Sequence, residues 1–345
     1  MASENELQAM SRAVTAARTV ARALPNPRVG CVLLDAQGEQ IAVGVHQGAG
    51  NPHAEVEALT IAGEAARGAT AVVTLEPCSH TGRTGPCVDA LIEAGVSRVV
   101  FAQTDPDPQA RGGATRLADA GIDVEGGVLA EEAEQINVEW TFATTEGRPF
   151  VTWKYAATMD GLSAAPDGSS KWITSAEARR DVQTFRAAAD AIMAGTGAVL
   201  ADDPRLTVRD TEDLPLPYAQ QPLRVVVGET HIPNYYRVFD RVAPTLLIQT
   251  REPDEVLTKL YEQGIKHVWL EGGPRLAGGF WNAGLVDRVI GYIAPAMLGS
   301  GRAALEGEAA TLADIRPITL HDVSMVGPDI RIIGTPGRAP REEMP

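Results

Sequence analysis

Short apolar runs alternate with helical segments along almost the whole chain, and this alternation restricts it to α/β architectures. In the first half, VGCVLL (29–34), IAVGV (41–45), AVVTLE (71–76), RVVFA (98–102) and a shorter IDV (122–124) read as strands. Turn residues around Gly38 separate the first two, which predicts a hairpin. HAEVEALTIAGEAARG (53–68) and CVDALIEAG (87–95) read as helices with Gly68 and Gly95 as C-caps. Residues Glu6 to Leu24 predict an opening helix stopped by Pro25, and 130–145 a connecting helix. The order of elements predicts an α/β layer with a partly parallel sheet.

TTEGRPF (144–150) carries turn residues and no periodicity, so the domain boundary is placed there, giving domains 1–146 and 147–345. The alternation then restarts. VTWKYAATMDG (151–161), AIMAG (191–195), LRVVVG (223–228), TLLIQT (245–250), HVWLEGG (267–273) and RVIGYIA (288–294) are strand candidates. SAEARRDVQTFRAAAD (175–190), with Ser175 as N-cap, and PRLAGGFWNAGL (274–285) are helices, and MVGPDIRII (325–333) predicts a terminal hairpin. A length of 345 residues agrees with two domains of roughly 150 each.

Composition narrows the function. Acidic residues outnumber basic ones 45 to 30, a formal charge of −15. Such a surface repels phosphate backbones and anionic lipid, so neither a nucleic-acid nor a membrane partner is expected. Anionic small substrates need locally placed Arg or Lys. The three cysteines, Cys31, Cys78 and Cys87, are too few for a disulfide framework and predict a reducing compartment. No secretory signal is read in the acidic N-terminal stretch, and no apolar run reaches membrane-spanning length, so a cytoplasmic enzyme is expected.

The residues with the most chemical content are His53, Glu55, Cys78 and Cys87, within HAE and EPCSHTGRTGPC. One imidazole and two thiolates are three zinc ligands that leave a fourth position for water. All three lie at or near predicted helix starts, which favour the thiolate form. Glu55, two residues from His53, is not a ligand in this reading; it carries a proton from the attacking water to the leaving amine. A structural zinc loop built by the two cysteines with His80 is the alternative, but it gives Glu55 no role. Cys31, in an apolar strand, reads as packing.

This pattern resembles the zinc-dependent cytidine and nucleobase deaminases, whose signature is H-x-E with P-C-x-x-C. Here eight residues separate Cys78 from Cys87 instead of two. With PNPRVGC (25–31), HAEVEAL (53–59) and TLEPCSHTGRTGPC (74–87), the first domain resembles the deaminase domain of the bifunctional riboflavin-biosynthesis deaminase/reductases. The resemblance implies a cytidine-deaminase-like three-layer fold, and contacts of Asn26, His46 and Arg83 with the pyrimidine or its ribose phosphate.

The second domain lacks a GxGxxG fingerprint after its first strand. Its glycine-rich stretch comes late, in LEGGPRLAGGF (270–280), where closely spaced glycines at a helix start suit a pyrophosphate. KYAATMDG (154–161), SKWITSAEARRDVQTFRA (170–187) and VLADDPRLTVR (199–209) resemble the reductase domain of the same family, which is similar to dihydrofolate reductase in fold and uses NADPH. Carried onto this sequence, the resemblance implies that Ala156, Trp172, Ala198 and Asp202 line the cofactor, with Gly273, Pro274, Arg275, Leu276, Ala277, Gly278 and Gly279 around the pyrophosphate. It implies that Ser170, Arg186, Leu206 and Arg209 hold the substrate, the arginines on its phosphate, and that Lys154 and Glu271 contact the ring and the open-chain sugar. VVVGET (225–230) departs from the family's usual acidic residue followed by Ser or Thr, and a carboxylate at Glu229 repels a phosphate.

The implied function is two-step: zinc-dependent deamination of 2,5-diamino-6-ribosylamino-4(3H)-pyrimidinone 5′-phosphate, then NADPH-dependent reduction to 5-amino-6-ribitylamino-uracil 5′-phosphate. The competing readings are a deaminase with a degenerate second domain, a nucleic-acid-editing protein and a non-catalytic zinc scaffold. Apolar strands near the end of the chain suggest a homodimer.

Overall fold

The structure, a computed structural model, describes every residue except Leu24, residues 81–84 and residues 338–345. The chain forms two compact units, Met1–Gly147 and Arg148–Pro345.

The first unit runs α1 (Glu4–Arg18), β1 (Gly30–Leu34), β2 (Gln40–Val45), α2 (Ala54–Ala62), β3 (Thr70–Leu75), α3 (Cys87–Ala94), β4 (Arg98–Gln103), α4 (Gly113–Asp119), β5 (Asp123–Gly126), α5 (Ala130–Glu134) and α6 (Val138–Glu146). Its sheet has the order β2-β1-β3-β4-β5, with β1 antiparallel to both neighbours and β3, β4 and β5 parallel. Period-two alternation makes it the middle of three layers. Cys31 and Leu33, with Ala71 and Val73, pack on α2, α3 and α4, while Val32, Leu34 and Val72 pack on α1 and α5. Cys31 is thus a core residue, as its sequence context suggests.

Two expected helices end early. α1 stops at Arg18 rather than Leu24, because Thr19 turns its hydroxyl and its N–H back onto the Ala16 carbonyl. α2 ends at Gly63, whose φ of +56° starts a short 3₁₀ turn (Gly63–Ala66), so Gly68 is not the cap. The expected connecting helix is broken into α5 and α6. At the break, Asn137 accepts the Arg28 N–H at 2.8 Å and donates to the Arg28 carbonyl at 2.8 Å, which ties down the loop carrying Asn26. α4 has no sequence cap of its own and was not expected.

The second unit runs β6 (Phe150–Thr158), β7 (Leu162–Ala164), α7 (Ala176–Ala188), β8 (Ala191–Gly195), α8 (Thr196–Asp202), β9 (Leu223–Val227), β10 (Thr245–Ile248), α9 (Pro253–Glu262), β11 (His267–Leu270), α10 (Pro274–Asn282), β12 (Arg288–Ala294), β13 (Arg302–Ala303), β14 (Ile318–Val326) and β15 (Asp329–Pro336). Its main sheet has the order β10-β9-β8-β11-β6-β12-β15-β14. The strands from β10 to β12 are parallel, and β15 of the terminal hairpin is antiparallel to both β12 and β14. Met193, Val225 and Val268 face α9 and α10, while Ile192, Val226 and Trp269 face α7 and α8. The same alternation sends Glu271, two residues after Trp269, and Lys154, next to Trp153, toward the α7 side. The hairpin is longer than expected, since β14 begins at Ile318.

Candidate functional site

Three chain segments converge in the first unit. His53 is the N-cap of α2, Cys87 is the first residue of α3, and Cys78 lies in the loop after β3. Cys78 therefore does not start a helix, but it accepts the N–H of Cys87 at 3.4 Å and so sits on the N-terminus of α3. Two close approaches fix these segments. A Cβ on Gly44 of β2 would lie 2.1 Å from the Ala54 carbonyl oxygen, and one on Gly113 would lie 1.8 Å from that of Pro77, so side chains there would push α2 and the Cys78 loop outward.

His53 Nδ1 is 3.0 Å from Cys87 Sγ and 3.7 Å from Cys78 Sγ. One imidazole nitrogen and one thiolate sharing a tetrahedral zinc stand about 3.6 Å apart. Among the described residues, the group that could hold a metal is His53, Cys78 and Cys87, whose ligand atoms all lie within 4.8 Å of one another. His80 is exposed and not part of it, which removes the alternative loop. The donor set fits zinc with an open position. The Cys87 thiol, with the His53 ring and the Cys87 N–H, draws the Cys78 thiol well below the usual thiol range against its burial. Cys87 moves upward as the donor of that shared proton.

Glu55 is 4% exposed in the first turn of α2, and burial raises its pKa above the ordinary carboxylate range. It is not in the ligand group. His46 lies beside the trio, its ring 5.1 Å from that of His53. His46 Nδ1 is 2.8 Å from the Pro52 carbonyl oxygen, so it carries the proton; Nε2 then accepts from Asn26 Nδ2 at 3.0 Å. Asn26 and His46 are therefore brought together. Arg83 lies outside the described residues. Sequence reasoning passed over Glu76, whose buried carboxylate accepts the N–H groups of Gly112 and Ala114 and caps α4 from the end of β3. It also accepts the Asp105 N–H, and so ties the loop after β4 beside the cysteines. No local pattern gives such a cap.

In the second unit a cavity of about 1420 Å³ opens along the C-terminal ends of the parallel strands. It is lined by Lys154, Ala156, Ser170, Trp172, Arg186, Ala198, Asp202, Leu206, Arg209 and Glu271, together with Gly273, Pro274, Arg275, Leu276 and Gly279. Ala277 and Gly278 are not on it. Ala277 is fully buried in the core, and a Cβ on Gly278 would meet the Glu306 carbonyl oxygen at 1.9 Å. The expectation treated 273–279 as one cradle, but a helix turns by about 100° per residue, so only one face of α10 meets the cavity. Gly273 is the N-cap of α10 with no side-chain cap, and a Cβ there would have nothing within 4 Å, leaving open space at the helix start. Cavity size and this open N-terminus fit a dinucleotide diphosphate.

Arg186 Nε lies 2.7 Å from Glu271 Oε1 and Nη2 meets Oε2, while Nη1 donates to the Thr207 carbonyl at 2.9 Å. The Trp269 indole N–H also donates to Glu271. Burial opposes the Glu271 charge, but Arg186, Lys154 and this indole hold its pKa down at about 2. Burial lowers the pKa of Lys154 despite its attraction to Glu271. The two cations and one carboxylate leave a net positive charge for a phosphorylated substrate. Arg209 lies 2.6 Å from Asp213, and Ser170 Oγ 3.5 Å from Asp202. Arg179 stacks over the Trp172 ring at 4.4 Å. Glu229 pairs with Arg251, a cation that sequence reasoning did not single out.

The family described as the cytidine and deoxycytidylate deaminase zinc-binding region matches residues 3–103, and that described as the RibD C-terminal domain matches 149–331. The chain is 48% identical over 308 residues to the riboflavin biosynthesis protein RibD of Mycobacterium tuberculosis, covering 89% of this chain and 90% of that protein. It is 44% identical to the Escherichia coli K12 protein of the same name, covering 89% and 92%. Among solved structures, Acinetobacter baumannii RibD superposes with a TM-score of 0.91 at 36% identity, covering 97% of this chain and 99% of that one. A Thermotoga maritima diaminohydroxyphosphoribosylaminopyrimidine deaminase/5-amino-6-(5-phosphoribosylamino)uracil reductase gives 0.87 at 32% identity, covering 96% and 99%. The first unit is cytidine-deaminase-like and the second has the dihydrofolate-reductase-like α/β fold, as expected from the sequence.

Proposed function

The chain belongs to the RibD family of riboflavin-biosynthesis proteins, and from that membership we propose how two activities divide along it. Met1–Gly147 removes the ring amine of 2,5-diamino-6-ribosylamino-4(3H)-pyrimidinone 5′-phosphate as ammonia, and Arg148–Pro345 reduces the ribosyl chain with NADPH to the ribityl product. The observation that carries this reading is the gathering of His53, Cys78 and Cys87 with an uncoordinated, buried Glu55 beside them.

His53 Nδ1 and the sulfurs of Cys78 and Cys87 would hold zinc, whose Lewis acidity would make water nucleophilic at neutral pH. Glu55 takes the proton from the attacking water and returns it to the amine as the C–O bond forms and the C–N bond breaks. Asn26 and His46 orient the ring, and Arg83 receives the phosphate. In the second unit, Lys154 and Glu271 hold the ring and the open-chain sugar; NADPH would supply the hydride to the sugar carbon and solvent the proton that completes the reduction. Arg209 and Arg186 receive the phosphate, and Ser170 and Leu206 hold the rest of the substrate. Ala156, Trp172, Ala198, Asp202 and the start of α10 orient NADPH.

The test gives purified protein the diamino substrate with and without NADPH, following ammonia release and NADPH oxidation separately. Ammonia is expected in both cases, and oxidation only after deamination. Ammonia without any oxidation, even when the deaminated intermediate is supplied, leaves the second unit without its assigned activity.

The enzyme works in the cytoplasm, where reducing thiol pools keep Cys78 and Cys87 free to bind metal. It pairs with a second copy through the edge strand β14, where Leu320, Val323 and Met325 are 56%, 59% and 65% exposed. Sedimentation equilibrium is expected to return twice the 36.5 kDa chain mass. A monomer at micromolar concentration contradicts the pairing.

A further inference from the structure

Along the C-terminal edge of the second unit's sheet, the strands stand in the order β10-β9-β8-β11-β6. The cavity takes lining residues from the ends of four of them and the middle of the fifth: Thr250 and Arg251 after β10, Gly228 and Glu229 after β9, Gly195 and Thr196 at β8, Glu271 and Gly272 after β11, and Lys154 midway along β6. Adjacent strands are about 4.8 Å apart, so β6 to β10 spans roughly 19 Å, on the order of an extended dinucleotide. The reacting end belongs at Lys154 and Glu271, where the largely buried charges are. The diphosphate belongs at the open start of α10. The remaining adenosine end then falls at β9 and β10.

A guanidinium waits there. Arg251 Nε is 3.0 Å from Glu229 Oε2, and the two side chains are 75% and 59% exposed. An exposed pair of this kind contributes little to stability, so it exchanges easily for a stronger anion. Arg237, also on the cavity lining, is less available, because Asp203 takes both its backbone N–H and its Nε, at 2.8 and 3.0 Å. Gly228 fixes where Glu229 points: its φ is +131°, and a Cβ there would lie 2.5 Å from Thr196 Oγ1.

We infer that Arg251 reads the 2′-phosphate of NADPH, and that Glu229 occupies it as an internal stand-in anion until the cofactor arrives. The inference rests on the reductase reading above. A phosphate dianion offers a guanidinium two acceptor oxygens and more charge than a carboxylate, so it displaces Glu229. NADH has no group to make that exchange and leaves the pair closed. The acidic residue at Glu229 therefore does not exclude a phosphate; it sets how much of the phosphate's binding is spent on displacement.

The test uses the full-length protein and two pairs of probes, NADP⁺ with NAD⁺ and 2′,5′-ADP with 5′-AMP, with affinities measured by calorimetry. Arg251→Ala is expected to weaken NADP⁺ and 2′,5′-ADP by about 10- to 100-fold and to leave NAD⁺ and 5′-AMP unchanged. Arg251→Lys recovers part of the loss, and Glu229→Gln tightens 2′,5′-ADP. Both residues are exposed, and an unchanged thermal unfolding curve confirms that the variants fold. Unchanged 2′,5′-ADP affinity in Arg251→Ala, or an equal loss for phosphorylated and unphosphorylated probes, overturns the inference while the reductase reading stands. Wild-type protein that binds neither NADP⁺ nor NAD⁺ overturns both.

Discussion

Replacing Glu55 by Gln is expected to slow deamination by roughly 10²- to 10⁴-fold and to leave reduction of the deaminated intermediate at the wild-type rate. Gln has nearly the same size and shape, so α2 and the His53 position are retained. What it loses is the ability to accept a proton from water and return it to the amine. A merely structural Glu55 predicts the opposite pattern. Burial raises its carboxyl above the ordinary value, so the charged form costs stability as pH rises toward neutrality, and a neutral amide relieves that cost. A variant that is at least as stable but no longer releases ammonia separates the catalytic role from packing. Ammonia release, NADPH oxidation and thermal unfolding measured on one preparation are enough. Normal ammonia release from Glu55→Gln removes the assigned role.

The second large effect is expected at Glu271. Its carboxylate lies among Arg186, Lys154 and the Trp269 indole, and removing it leaves two largely buried cations without their counter-charge. Breaking a buried pair by deleting one partner costs roughly 3–5 kcal/mol, far more than loss of a surface pair. Glu271→Gln should therefore destabilise the second unit by about that amount in urea unfolding and abolish NADPH oxidation, with ammonia release retained. A double variant, Glu271→Gln with Arg186→Met, should recover part of the stability and none of the reduction. The pH dependence has a definite sign. The folded-state pKa of about 2 lies below the ordinary 4.5, so the carboxylate's contribution is present above about 4.5 and is lost as pH falls toward 2. The single Gln variant should lack that acid-induced loss. Wild-type stability in Glu271→Gln contradicts the buried-pair account.

What could be read from the sequence was local chemistry and local periodicity. HAE and the two cysteines name a zinc site because the metal dictates its ligand types, whatever the fold. The strands were legible because apolar runs such as VGCVLL pack on both faces of a covered sheet. α9 was missed although Pro253, Asp254 and Glu255 form an ordinary helix start. α4 was hidden for a different reason: its cap is Glu76, distant in sequence. The break between α5 and α6 serves Arg28, more than a hundred residues away, and no window of sequence contains both partners. The pairing of Asn26 with His46 and the clamp of Arg186 by Glu271 are likewise long-range. Ala277 and Gly278 fall off the cavity lining because the glycine-rich string was taken as one cradle around the pyrophosphate, whereas a helix presents only one face. Arg251 carried no motif; only the order of strand ends puts it beside Glu229.

The central claim is that His53, Cys78 and Cys87 share one metal ion. Its most direct test is metal analysis of the full-length protein, combined with X-ray absorption at the zinc edge. About one zinc per chain is expected, with two sulfurs at about 2.3 Å and one nitrogen at about 2.0 Å. Cys87→Ala should lose the metal and ammonia release while still oxidising NADPH with the deaminated intermediate. Zinc retained at full occupancy in Cys87→Ala, or ammonia release by protein stripped of zinc, would contradict the account.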